Sequence, residues 1–409
     1  MARVMNRKTV MVILGMLLLL SPLITACGKS QETRTVVKIG FVGSLTGAAA
    51  TSGAGFLAGY QVYFNYANEE NLIPGVRIAL DIYDTAYDPA REILGYQKLK
   101  GDGVVAILTF SGSAADKYRP LCDQDKIPII SNSTSKVQLV PSGYVFGIIV
   151  PFEWQSQLVL QYIHDNWDYA GKGRNPKVAV LGWNMAYGGD HVKAAKAFYS
   201  DYNVDLVLAE TVPVNTMDMS VNARRVGEAK ADYAMLPLLA GPCASVMKEL
   251  YVKYPGQVTA IIPAASFKEY FSAMGANVLE GHYFTGMGQT FDVHGAAMDL
   301  LRDLMNRYYP SGWSQYDNAC PSITFPGALA MVDAIKRVVE EKGVNEINSV
   351  NIYEALQKVD IDLEGISSEP IKFGPDIRLG VVGQNYWKCV GGTTQFVLWV
   401  NNPQQKWVE

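Results

Sequence analysis

The chain has 409 residues, of which 49% are hydrophobic and 18% charged, the values of a folded globular protein long enough for two domains. Its formal net charge of −4 argues against a nucleic-acid partner, because phosphate binding needs a basic surface.

In chain order, the first element is not part of the fold. Arg3, Arg7 and Lys8 give a positive start, and Val10 to Leu20 is continuously apolar. That span is short and followed by small residues, the pattern of an export signal and not of a membrane-spanning helix. It ends in Ile24-Thr25-Ala26-Cys27, which resembles a lipobox, the bacterial signal for cleavage before a cysteine that then receives lipid. The expected layout is a signal peptide over 1–26 and a lipidated tether over 27–35. The mature protein then sits on a membrane surface through lipid on Cys27 without crossing the bilayer. No other stretch is long and apolar enough to span one.

From there strands and helices alternate. VVKIGFV and VRIALDIY read as buried strands, with a helix around FLAGYQVYFNYANEE between them. DPAREILGYQKLK follows, where Asp88 can cap a helix and Pro89 suits its first turn. VVAILT, SAADKYRPLCDQ and IPII continue as strand, helix and strand. A second series runs from FEWQSQLVLQYIHDNW through KVAVLGW, GGDHVKAAKAFYSDY and VDLVLAE to VTAIIP. Short apolar strands alternating with helices predict an α/β chain of two doubly wound lobes, each with a mostly parallel sheet covered on both faces. The late helical pattern ITFPGALAMVDAIKRVVEEKG is predicted to return and pack on the first lobe, and the tail closes with β-rich segments.

Four cysteines lie beyond the leader. Outside the cytoplasm they permit disulfides in three possible pairings. Cys320 and Cys389 stand in loop-like surroundings and are the expected pair, while Cys122 and Cys243 can remain buried thiols.

The glycine-rich loop in IGFVGSLTGAAATSGAGFLAGY poses the question of a nucleotide site. Gly53, Gly55 and Gly59 are spaced GxGxxxG, ten residues after Gly43, and no Gly-Lys-Ser/Thr follows. Both the dinucleotide fingerprint and the P-loop therefore fail. No GxSxG or HExxH occurs, and the four histidines lack metal-ligand spacing, so neither a catalytic centre, a metal nor a cofactor is expected. Asp81 and Asp84 stand at a strand end, where carboxylates more often hold loops than do acid–base work.

What the sequence does offer is small hydroxyl residues at successive strand ends, among them Ser44, Thr46, Ser52, Ser111, Ser113, Ser131, Ser133, Thr134 and Ser135. In a doubly wound sheet the ligand crevice lies outside the carboxyl ends of the strands. Hydroxyls and helix N-termini there suit a carboxylate or polar oxygen. Some of these side chains serve as helix caps instead.

The order IGFVGSLTG, YDTAYDPA, an SGS loop, IPIISNSTS, the Tyr187-Gly188 pair, VLEGHYFTG and PIKFGPD resembles the type I periplasmic binding proteins, and within them the branched-chain amino-acid and amide binding group that serves ABC importers. The resemblance implies two lobes, 36–148 plus 287–368 and 149–286 plus 369–409, joined by a three-stranded hinge and closing on a small-molecule ligand. It implies ABC permease and ATPase subunits as partners. It places a ligand carboxylate on Ser111, Gly112 and Ser113 and on Ser133, Thr134 and Ser135, with Tyr187 covering it from the second lobe. The family's acidic partner for a ligand ammonium falls on Ala264, with no carboxylate expected nearby, and an aromatic position falls on Ser52. A plain α-amino acid is thus less attractive than a molecule with a polar or carboxylate head and an apolar body. Phe152, Trp154, Trp183 and Tyr187 are expected near the second lobe's crevice edge. Two rival readings share these residues: a ligand-sensing receptor domain for a signalling partner, and a surface enzyme on the same scaffold.

Overall fold

The computed structural model describes residues 34–110, 115–214, 216–286, 288–313, 320–401 and 405–408. The leader, Cys27 and the loop residues Ser111, Gly112 and Ser113 lie outside the described residues. Among those described, no helix is long and apolar enough to cross a membrane.

The first sheet has five parallel strands in the order β2-β1-β3-β4-β5: β1 (Thr35–Gly43), β2 (Val76–Asp84), β3 (Ala106–Thr109), β4 (Ile129–Ser131) and β5 (Val145–Gly147). Ile39 and Phe41 of β1, Ile107 and Leu108 of β3 and Ile130 of β4 are fully buried, as expected for a parallel sheet covered on both faces. The second sheet has seven strands in the order β14-β13-β10-β9-β8-β6-β7. Its parallel members are β6 (Lys177–Trp183), β7 (Asp205–Val212), β8 (Tyr233–Met235), β9 (Thr259–Pro263) and β10 (Tyr283–Gly286). β13 (Gly383–Val390) and β14 (Thr393–Asn401) add an antiparallel edge. Asp360–Ile361 (β11) and Ile371–Lys372 (β12) form a small separate pair.

The two chain series of the sequence are thus two sheets, and the late helix does return to the first. Helix Cys320–Lys342 packs on helix Ala50–Glu69, with Thr324 Oγ1 donating to Phe56 O at 2.8 Å. The glycine loop that opens helix Ala50–Glu69 has a steric purpose. A Cβ on Gly53 would lie 1.7 Å from Ser44 O, so only glycine lets the helix start against the end of β1.

The chain passes between the sheets after β5, after β10 and before β13. The first and last of these passages are hydrogen-bonded to each other: Gly147 N donates to Arg378 O at 2.7 Å and Gly380 N to Gly147 O at 2.9 Å. Arg378 anchors the junction. The residue is 3% exposed, and its guanidinium donates to Gly143 O at 2.6 Å, to Tyr353 Oη at 2.8 Å and to Gly374 O. It lies over the rings of Phe146 and Tyr353, at 4.8 and 5.3 Å from their centroids.

The expected Cys320–Cys389 bridge is corrected by the structure: all four described cysteines are buried thiols. Cys320 opens helix Cys320–Lys342 and its Sγ donates to Ala265 O at 3.0 Å. Cys389 lies on β13 beside His282, beyond the Tyr283 end of β10, whereas Ala265 follows the far end of neighbouring β9. The two thiols therefore stand toward opposite ends of the strands, whereas a disulfide needs Cα atoms within about 7 Å.

Replacing Arg378 with Met should lower the unfolding free energy by about 3 kcal/mol, because carbonyls buried against the guanidinium lose a charged donor. Urea denaturation compares the two proteins directly.

Candidate ligand-binding crevice

Between the sheets lies a cavity of about 110 Å³, several times the space that one ordered water requires. Nearly all of its lining follows the carboxyl ends of strands from both sheets. Tyr87 comes after β2, Phe110 after β3, Asn132 and Ser133 after β4, Tyr187 after β6, and Ala264 to Ser266 after β9. This is where a doubly wound sheet puts its ligand.

Six of the described lining residues carry aromatic rings. Phe56 and Phe110 meet with ring centroids 4.6 Å apart, Tyr87 and Phe110 at 6.2 Å, and Phe152 and Tyr187 edge-on at 5.4 Å. The polar side chains of Ser52, Asn132, Ser133, Gln155, Ser266 and Thr285 are buried. Both amide atoms of Asn132, and the hydroxyls of Ser133, Ser266 and Thr285, have no hydrogen-bond partner among the described residues. Buried polar groups are normally paired, so four such side chains around one cavity are suited to a ligand that satisfies them.

The sequence-derived candidates divide. Ser52, Ser133, Tyr187 and Ala264 line the cavity. Thr134, Ser135 and Trp183 do not. Thr134 faces the passage between the sheets, where its Oγ1 donates to Ile149 O at 2.9 Å. Ser135 is the N-cap residue of the Lys136–Leu139 turn. Trp183 is 2% exposed and donates through Nε1 to Thr216 O at 3.1 Å. Several other strand-end hydroxyls hold the framework together. Ser44 and Thr85 pair at 3.0 Å, and Thr109 donates to Ser131, which in turn donates to Ser133 O at 2.8 Å. Asp84 is a loop organiser, accepting from Leu45 N, Ala86 N and Thr46 Oγ1 at 2.8, 2.9 and 2.6 Å. Burial alone would raise its pKa, but these hydrogen bonds outweigh it and hold the carboxyl below its ordinary value.

Tyr187 is fixed from two sides. Its hydroxyl donates to Pro263 O, and a Cβ on the following Gly188 would lie 2.3 Å from Trp183 O. Behind it His191 is fully buried, its Nδ1–H donating to Tyr187 O at 2.6 Å. Burial pushes the His191 pKa down to about 4.

Several lining residues were not candidates from the sequence, Tyr87, Phe110, Asn132 and Thr285 among them; the one that most changes the chemistry is Glu269, in the first turn of helix Phe267–Met274. It lines the cavity with Ala264, so a carboxylate does stand near that position after all. Ser52 Oγ donates to its Oε2 at 3.2 Å across the crevice. Burial raises its pKa, and hydrogen bonds from Thr51 and Ser52 oppose that shift. No Lys, Arg or His is among the cavity's described lining residues. The acid escaped a count along the β9 strand because a helical turn carries it back to the crevice from five residues further on.

The family profile described as periplasmic binding protein matches residues 36–383. The chain belongs to the periplasmic binding protein family. Among solved structures, a branched-chain amino-acid ABC transporter protein from Thermus thermophilus with bound valine superposes with a TM-score of 0.79 at 19% identity, covering 90% of this chain and 97% of the other. A solute-binding protein from R. palustris in complex with 4-hydroxybenzoate gives 0.72 at 17% identity, covering 90% and 98%. These likenesses establish the type I fold. A Leu/Ile/Val-binding protein of Rhizobium johnstonii is 23% identical over 200 residues, which is 48% of this chain and 53% of that protein. The match thus spans about half the length of that relative.

The unfolded chain protonates His191 near pH 6.5 and the folded protein only near pH 4. This contribution to stability is complete above pH 6.5 and is lost progressively as the pH falls toward 4. A His191→Gln variant should show a flatter melting temperature over that interval than the parent, read by differential scanning calorimetry.

Proposed function

We propose that this protein is the extracytoplasmic solute-binding component of an ABC importer. Lipid on Cys27 would hold it to the membrane. The lobes 36–148 plus 287–368 and 149–286 plus 369–409 would close on a small organic ligand and present it to the permease. Hinge closure makes and breaks no covalent bond, so the energy for transport comes from a separate ATPase subunit. The observation that carries this reading is the cavity at the facing strand ends of both sheets, lined by unpartnered polar side chains and aromatic rings.

Glu269 shifts the balance among these small organic ligands. A half-buried carboxylate with no basic residue among the described lining of its cavity disfavours a second negative charge, and it favours a donor or cation. A branched-chain amino-acid-like molecule or an amide therefore fits better than a simple aliphatic or aromatic carboxylate. Asn132 and Ser133 supply polar contacts at the first lobe, Tyr187 covers the ligand from the second, and the rings hold its apolar body.

A thermal-shift screen across amino acids, amides and aromatic acids tests this, since a ligand raises the melting temperature by mass action. Leucine or its amide should stabilise the protein more than 4-methylpentanoate, which lacks the amine. Tyr187→Ala and Ser133→Ala should each weaken binding by roughly 5- to 30-fold, the equivalent of about 1–2 kcal/mol. Glu269→Gln should shrink the preference for the amine. Stabilisation by the acid alone, unchanged in Glu269→Gln, would refute the assignment of ligand class.

A further inference from the structure

The segment Gln405–Val408 lies against both walls of the crevice. On one side it meets helix Phe152–Asn166, whose residues Phe152 and Gln155 line the cavity. Gln157 of that helix exchanges two hydrogen bonds with the backbone of Lys406: Gln157 Nε2 donates to Lys406 O at 2.7 Å, and Lys406 N donates to Gln157 Oε1 at 3.0 Å. Val408 N donates to Glu153 Oε2 at 3.0 Å. Trp407 packs its ring on Trp154 with centroids 4.7 Å apart, and Lys406 Nζ pairs with Asp201 at 2.8 Å. On the other side, Lys136 Nζ donates to Val408 O at 2.9 Å. Lys136 comes directly after the Asn132–Ser135 stretch, whose first two residues line the cavity. Trp407 also packs on the first sheet's apolar cluster, which includes Leu139 and Val145.

We infer that Gln405–Val408 is a strap that ties the two cavity walls together and favours the closed crevice, with Trp407 as its positioning residue. The attachment is unequal. Helix Phe152–Asn166 and Asp201 hold the strap by several hydrogen bonds, an ion pair and a ring contact, while the first sheet's side holds it by Lys136 and one face of Trp407. Opening the crevice separates these two surfaces, so the strap stays with the helix and releases Lys136 and the apolar cluster. Whatever favours the closed form raises the fraction competent to retain ligand, and apparent affinity rises in proportion. This inference rests on the clamshell reading above, but its structural test requires no ligand.

Cys320 supplies that test. Its thiol is buried where helix Cys320–Lys342 meets Ala265, from opposite sheets, so opening exposes it. Cys122 and Cys243 are buried within the first and second sheet's sides respectively and report general loosening. Alkylation of the ligand-free protein with iodoacetamide, mapped by mass spectrometry, should be at least about threefold faster at Cys320 in Trp407→Ala, as a shifted open–closed balance demands. The rates at Cys122 and Cys243 should not change. Trp407→Phe should restore the parent rate, and Lys136→Met should change it in the same direction as Trp407→Ala. An unchanged Cys320 rate, a slower one, or one that rises in step with Cys122 and Cys243 overturns the strap. If no ligand is found in the thermal-shift screen, the thiol result still decides this inference separately.

Discussion

The structure depends on holding one parallel and one mostly parallel sheet with the carboxyl ends of their parallel strands facing while the chain passes back and forth between them. One buried guanidinium does much of that holding. Arg378 ties Gly143, Gly374 and Tyr353 together and lies over Phe146 and Tyr353. Its own carbonyl and the amide of Gly380 pair with Gly147 of the first passage. A lysine would offer three donors from a single nitrogen, whereas the guanidinium spreads its donors over a planar fork that also lies flat against the two rings. These contacts join the first and last passages of the chain at one point.

The crevice follows from the same topology. Strand ends from both sheets converge, and each brings a short loop whose residues can approach a ligand without a long side chain. The glycine-rich loop after β1 is one lip of this space. It allows close contact between helix and strand, and Ser52 then reaches Glu269 on the other side. The geometry resembles a phosphate cradle in outline only. Its charged group is an acid, and no lysine or arginine stands among the described lining residues.

The alternation of strand and helix was legible because buried parallel strands and capped helices have strong local signatures. Asp88 caps its helix as expected, accepting from Ala90 N at 2.9 Å. The crevice's general position was legible too, since topology places it at strand ends. The division of labour among the hydroxyls was not. Ser131 ends β4 and Ser133 follows two residues later, yet one organises the turn and the other lines the cavity. Trp183 belongs to the core although it ends a strand beside Tyr187, because its indole N–H finds Thr216 O. The cysteine pairing failed for a related reason: loop-like spacing says nothing about which ends of the strands two thiols occupy.

The sequence by itself determined the family, the two-sheet architecture and the absence of a nucleotide fingerprint, because these reside in order, periodicity and spacing along the chain. Only the tertiary structure decided that Glu269 stands with Ala264 in the cavity, that Arg378 locks the passages, and that Trp407 meets Trp154 some 250 residues away. Each of these depends on side chains from distant segments meeting at one point. Their burial and hydrogen bonding are properties of that point, and no local run of residues encodes them.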